Sequence, residues 1–179
     1  MANAVLLKEF PNLRQTYNYD CGAQALQSVL AYYGIDIREG EIIRVAKTTK
    51  KYGTTSHNLA LAIEHYGLKY DMRERTIDEV KDLISQNVPV ILSLQAWTED
   101  PDVDWKNDWN DGHYAVAIGY DDKKIIFEDP SNFQRAYLSY EELEDRWHDK
   151  DADGEKYDHL GIAVYGTPHS SCEEFVHMG

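Results

Sequence analysis

Cysteine is scarce in this chain, with two in 179 residues, Cys21 and Cys172. So few exclude a disulfide framework, and their spacing excludes a zinc knuckle. At this length one domain buries a core without such staples. The expectation is a single domain over residues 1–179, with a helical part at about 15–88, a sheet part at about 89–166 and a polar tail at 167–179 that holds Cys172. Long apolar runs are missing as well. The longest, Val88 to Leu94, reads as a buried strand and falls far short of the ~20 residues of a membrane-spanning helix. The N-terminus lacks the basic start and apolar stretch of a secretory signal. A soluble protein in a reducing, cytoplasmic setting is therefore expected. Positive charge is the third shortage: 18 Lys and Arg stand against 32 Asp and Glu, a net of −14. The deficit is local. Residues 1–98 carry 11 of each sign, whereas residues 99–159 carry 7 basic and 19 acidic side chains. Such a field disfavours nucleic acid and favours a basic peptide or protein surface. Nothing in the patterning calls for a cofactor or specifies an oligomer, and there is no internal repeat.

What is present begins with helices. Ala25, Leu26, Val29, Leu30 and Tyr33 recur at helical spacing up to Gly34, so a first helix is expected from about residue 21 to 33. A second runs from Glu39 to Thr48, and a third is capped by Ser56 and closed by Gly67. Leu68 to Met72 alternates as a strand, and Thr76 caps a fourth helix that ends before Pro89. The period then changes: Val90–Leu94, His113–Tyr120, Ile125–Asp129 and Leu160–Tyr165 read as strands, with a short helix capped by Ser139 among them. Helices first and strands later, joined by short turns, imply an α+β fold with an antiparallel sheet.

The first helix opens on Asp20-Cys21-Gly22. Asp20 is placed to cap it, which puts Cys21 in the first turn. Unpaired N–H groups and the helix dipole favour a thiolate there, more so beside a cation. Gln15 stands six residues earlier, across a loop able to bring its amide back to the helix start. Its NH₂ and the Cys21 N–H would then point at one developing oxyanion, and Gly22 would leave room for a substrate backbone.

A thiolate enzyme needs a base. Of seven histidines, His113 opens a strand after the turn signal Asn110-Asp111-Gly112 and shares a face with Ala115, Ala117 and Gly119. That small face suits close packing by a helix, and the helix of Cys21 is the expected partner. Asp129 closes the next strand. If the intervening loop has an odd length, His113 and Asp129 lie on one face as diagonal neighbours. Asp129 would then hold one imidazole nitrogen and leave the other to Cys21.

Gln15, five residues, Cys21-Gly22 on a helix, then Gly112-His113-Tyr114 opening a strand and Glu128-Asp129-Pro130 closing the next: this series resembles the bacteriocin-leader (double-glycine) processing peptidases, cysteine peptidase family thirty-nine. The likeness spans roughly residues 15–165. It implies a papain-like fold with Cys21 as nucleophile, His113 as base, Asp129 as its orienting partner and Gln15 as oxyanion donor. Two features depart from the family: its processing enzymes are usually fused to a membrane-spanning transporter, and here a long segment, 96–112, carries Trp97, Trp105 and Trp109 among acids. The chemistry carries over; the double-glycine leader as substrate does not follow.

Residues Trp97, Trp105, Trp109 and Gly112, with Gly22, are the expected substrate contacts, the segment 96–112 acting as lid, subsite wall or packing. Asp149, Asp151 and Asp153 match the start of a calcium loop, but Leu160 stands where the bidentate acid belongs, so a solvated acidic turn is expected, with weak calcium binding as the alternative. The expected activity is hydrolysis of a peptide or amide bond in a basic or glycine-containing peptide. The same residues also serve acyl transfer or deamidation, and a peptide-binding module without turnover is the alternative of another class.

Overall fold

A computed structural model describes residues 4–167; Cys172 and the rest of the expected tail lie outside them. In chain order the elements are β1 (Val5–Leu6), α1 (Cys21–Tyr32), α2 (Glu39–Val45), α3 (Ser56–His65), β2 (Lys69–Glu74), α4 (Ile77–Ser85), β3 (Val90–Gln95), β4 (Gly112–Tyr120), β5 (Lys124–Glu128), β6 (Ala136–Ser139), α5 (Tyr140–Arg146), β7 (His148–Lys150), β8 (Lys156–Asp158) and β9 (Leu160–Tyr165). Seven strands form one sheet in the order β2-β9-β3-β4-β5-β6, with β1 on the far end of β4. Every pairing is antiparallel, as an α+β chain of this order requires.

Local signals set most boundaries. Thr76 and Ser139 each form a full capping box, with Glu79 and Glu142 respectively, satisfying two N–H groups at each helix start. Gly34 and Gly67 take positive φ just beyond α1 and α3, the conformation that ends a helix without a Cβ penalty. Two caps differ from expectation. The α3 cap is Thr55, which accepts from Asn58 N–H at 3.2 Å, and this frees Ser56 to meet the Tyr114 hydroxyl at 2.9 Å. Asp20 stands at the α1 cap position but does not cap; its carboxylate turns back to accept from Tyr17 N–H. Helix α2 stops at Val45 rather than Thr48 because Lys47 takes φ +50°.

The core lies between the central strands and α1. Leu26, Leu30, Ile63, Ile91, Leu92 and Val116 are fully buried, and exchanging one such leucine for alanine costs about 2–5 kcal/mol. The face that receives α1 is the one opposite to expectation. A side chain on Gly22 would lie 3.1 Å from Tyr114, and the Tyr33 hydroxyl donates to the Val164 carbonyl at 2.7 Å, so the helix crosses the Tyr114 face. The small residue at the crossing is Gly22 of the helix, not an alanine of the sheet. On the other face Ala115 leaves space, bounded by Leu94, Phe127 and Leu138, which becomes a cavity.

Candidate active site

Cys21 begins α1, is half-buried and lines a cleft of about 570 Å³ whose walls also include Tyr19, Tyr52, Trp109, Gly112 and Asp149. His113 is the second residue of β4 and is buried. Asp129 follows the last residue of β5, and its Oδ1 lies 2.9 Å from His113 Nε2. The other imidazole nitrogen is left free by Asp129, and Cys21 lies near enough to act on the ring. Burial disfavours a charged imidazole; its bond to the Asp129 carboxylate, the nearby Cys21 sulfur and the charges of both outweigh it, and the His113 pKa is raised to about 10. Burial likewise pushes the Asp129 carboxyl up. Its bond and charge from His113, the Ser131 N–H and the Trp97 N–H overcome this and hold it below the usual carboxylate range.

Both Asp129 oxygens are occupied. Oδ1 takes the imidazole and the Ser131 N–H at 2.8 Å, and Oδ2 takes the Trp97 indole N–H at 2.8 Å. On the opposite face of the same strand end, Glu128 accepts from Leu13 N–H at 2.7 Å and pairs with Arg135. Arg135 in turn donates to the carbonyls of Phe10 and Pro11. The lead-in chain is thereby pinned to the strand that carries Asp129. Gln15 completes the seam: its N–H donates to the Pro130 carbonyl at 2.9 Å, and its Oε1 accepts from Ser131 Oγ. The Gln15 amide nitrogen is engaged with the Tyr17 carbonyl.

The expected substrate contacts divide. Gly112 and Trp109 line the Cys21 cleft. Trp97, with His113 and Asp129, lines a second cavity of about 360 Å³ floored by Leu94, Ala115, Phe127 and Leu138. Trp105 lines neither; it lies 4.0 Å under the Arg146 guanidinium. Gly22 is buried against Thr54 and Tyr114, so its missing side chain serves helix–sheet packing rather than room for a substrate. Gly112 is needed for another reason: a Cβ there would fall 2.5 Å from Asp149 Oδ1.

Asp149 also overturns the expectation of a solvated turn. It is buried, accepting from Ser93 Oγ at 2.8 Å and Gln95 at 3.0 Å. Asp151 accepts from Ser56 N–H and the Tyr157 hydroxyl, and Asp153 from Glu155 N–H. The three carboxylates are thus turned to different partners, and among the described residues no cluster of three ligating side chains is set for a metal ion. Sequence reasoning missed the Glu128–Arg135 clamp and the inward bond of Trp97. The adjacent acids Glu128-Asp129 on a strand, which must face opposite ways, were the available signal for the first.

The model of the Peptidase C39 family matches residues 9–150. An uncharacterized protein of Methanothermobacter marburgensis is 27% identical over 119 residues, 66% of this chain and 70% of that one. Among solved structures, the peptidase domain of Streptococcus ComA, a bi-functional ABC transporter involved in a quorum-sensing pathway, superposes with a TM-score of 0.68 at 20% identity, over 89% of this chain and 100% of that one. A double glycine motif protease from an AMS/PCAT transporter, crystallised with its leader peptide, gives 0.64 at 19% identity, over 88% and 91%. The α+β architecture with its antiparallel sheet is the papain-like fold of these domains, and the chain belongs to the Peptidase C39 family of cysteine peptidases.

Proposed function

We propose that this chain cleaves a peptide bond with Cys21 as nucleophile, His113 as acid and base, Asp129 as the orienting carboxylate and Gln15 as an oxyanion donor. The observation that carries the reading is the buried His113 imidazole bonded to Asp129 Oδ1 at 2.9 Å, with Cys21 near enough to raise its pKa. A cation beside the sulfur favours the thiolate. The thiolate attacks the scissile carbonyl, and the Cys21 N–H and the Gln15 amide, once turned from Tyr17, receive the negative oxygen. His113 gives its proton to the leaving nitrogen as the C–N bond breaks. Water then loses a proton to His113 and attacks the thioester, and the C–S bond breaks to release the acid and restore the thiolate.

The leaving nitrogen must lie at His113, so the leaving side of the substrate runs toward the Trp97 cavity and the acyl side along the Cys21 cleft. The leader peptide bound to the related protease supports a peptide substrate. A basic or glycine-containing peptide and a cytoplasmic setting belong to the same proposal, supported by the net charge and the two cysteines.

Intact-mass measurement after iodoacetamide tests the chemistry. Cys21 is expected to be alkylated well before Cys172 at mildly acidic pH, and Cys21→Ala to cleave nothing in a peptide-library digest. Gln15→Ala should slow turnover by about 10²–10³. Equal, sluggish labelling of both cysteines would contradict the reading.

A further inference from the structure

Trp97 is half in water, 53% exposed, yet its indole N–H is planted against a carboxylate whose side chain is 5% exposed. Burial of apolar surface therefore does not explain its placement. Its backbone sits at φ +63°, a conformation a bulky residue adopts only where its surroundings impose it. Nor is the bond needed to anchor segment 96–112. The Ala96 N–H donates to the Asp111 carbonyl at 2.9 Å and closes the neck of the loop. His148 Nε2 meets the Asp108 carbonyl at 2.6 Å, and Trp109 is held between the His148 ring and Lys156. What the indole N–H does alone is occupy the Asp129 oxygen that His113 and Ser131 leave open.

We propose that Trp97 is a positioning residue, whose N–H fixes the plane of the Asp129 carboxylate, and through it the ring of His113, in the orientation that meets Cys21. The inference rests on the thiol–imidazole reading above. With one oxygen unheld, the carboxylate can rotate toward water, and the imidazole rotates with it. A fixed geometry of this kind acts on the chemical step more than on substrate affinity.

The test is W97F, which keeps an aromatic ring and deletes the N–H. A site-specific benzothienylalanine at position 97, with sulfur in place of the N–H and the double ring unchanged, covers any loss of folding. Both should melt close to the parent and show kcat about tenfold lower with KM within about twofold, on a peptide taken from the library digest. The low-pH limb of Cys21 alkylation by iodoacetamide should part from the parent's, because Asp129 has lost a donor that keeps it ionised. Parent-like kcat and a superimposable limb in the sulfur analogue would overturn the role of Trp97 while leaving the thiol chemistry standing. A parent protein whose Cys21 reacts no faster than Cys172 would remove the underlying reading, and this inference with it.

Discussion

Asp20 stands next to the thiol with its carboxylate fully buried, turned onto Tyr17 N–H and close to Glu39. Burial first, and the Glu39 charge after it, raise its pKa to about 6 against the pull of the Tyr17 bond. An acid raised in this way binds its proton in the folded state before the unfolded chain does. Its effect on stability therefore falls as pH rises from about 4 through 6, and at pH 7 the ionised group opposes folding. Asp20→Asn keeps an oxygen for Tyr17 and removes the charge. Its melting temperature should exceed that of the parent at pH 7 by a few degrees, with a flatter dependence between pH 4 and 6; a lower melting temperature with the parent's slope would refute this. His113 works the other way. Its raised pKa contributes stability that is complete below about 6.5 and is lost as pH climbs toward 10. The pairing of His113 with Asp129 was legible only on the condition of an odd turn between their strands. The Trp97 bond was not, since an indole donor finds its partner through the path of a loop, and no periodicity encodes that path.

Parity itself was met by an unforeseen route. Tyr120 pairs with Ile125, which leaves four residues at the turn rather than the odd number expected, and an even turn alone would set His113 and Asp129 on opposite faces. A register shift between Ala117 and Gly119 restores the match, with Val116 opposite Glu128; the extra residue is a bulge. It also moves Gly119 off the His113 face, to sit beside Leu6 of β1. Bulges, the two-residue β1 and the short β6 to β8 leave little trace in a sequence, because each is too brief for a period to show. Longer elements, α1, α4, β3 and β9, were readable within a residue or two. The compensation has a measurable side: one residue inserted between Asp122 and Lys123 should abolish turnover, because Asp129 would move off the face of His113. Two inserted residues should restore much of it. Equal activity of both insertions would contradict the bulge's role.

Across the whole molecule the excess of acid falls outside the cleft that holds Cys21. That cleft mixes Asp149 and Asp151 with Lys50, Lys51 and Lys150, whereas the negative surplus belongs to residues 99–159 at large. A charge spread in this way acts at a distance, on encounter rather than on the bound state. For a lysine-rich peptide, raising ionic strength from about 0.02 to 0.5 M should lower kcat/KM several-fold and leave kcat unchanged. A neutral peptide of the same length should be indifferent to salt. A matching fall for both would place the effect in the protein itself. Finally, the chemistry is divided along the chain. Gln15 and Cys21 come from before the exposed stretch Glu99–Asp102, and His113 and Asp129 from after it. A nick in that stretch would leave two fragments, neither able to complete a turnover. Their complementation on mixing would be reported by the reaction itself, with no need of a dye or a fused reporter.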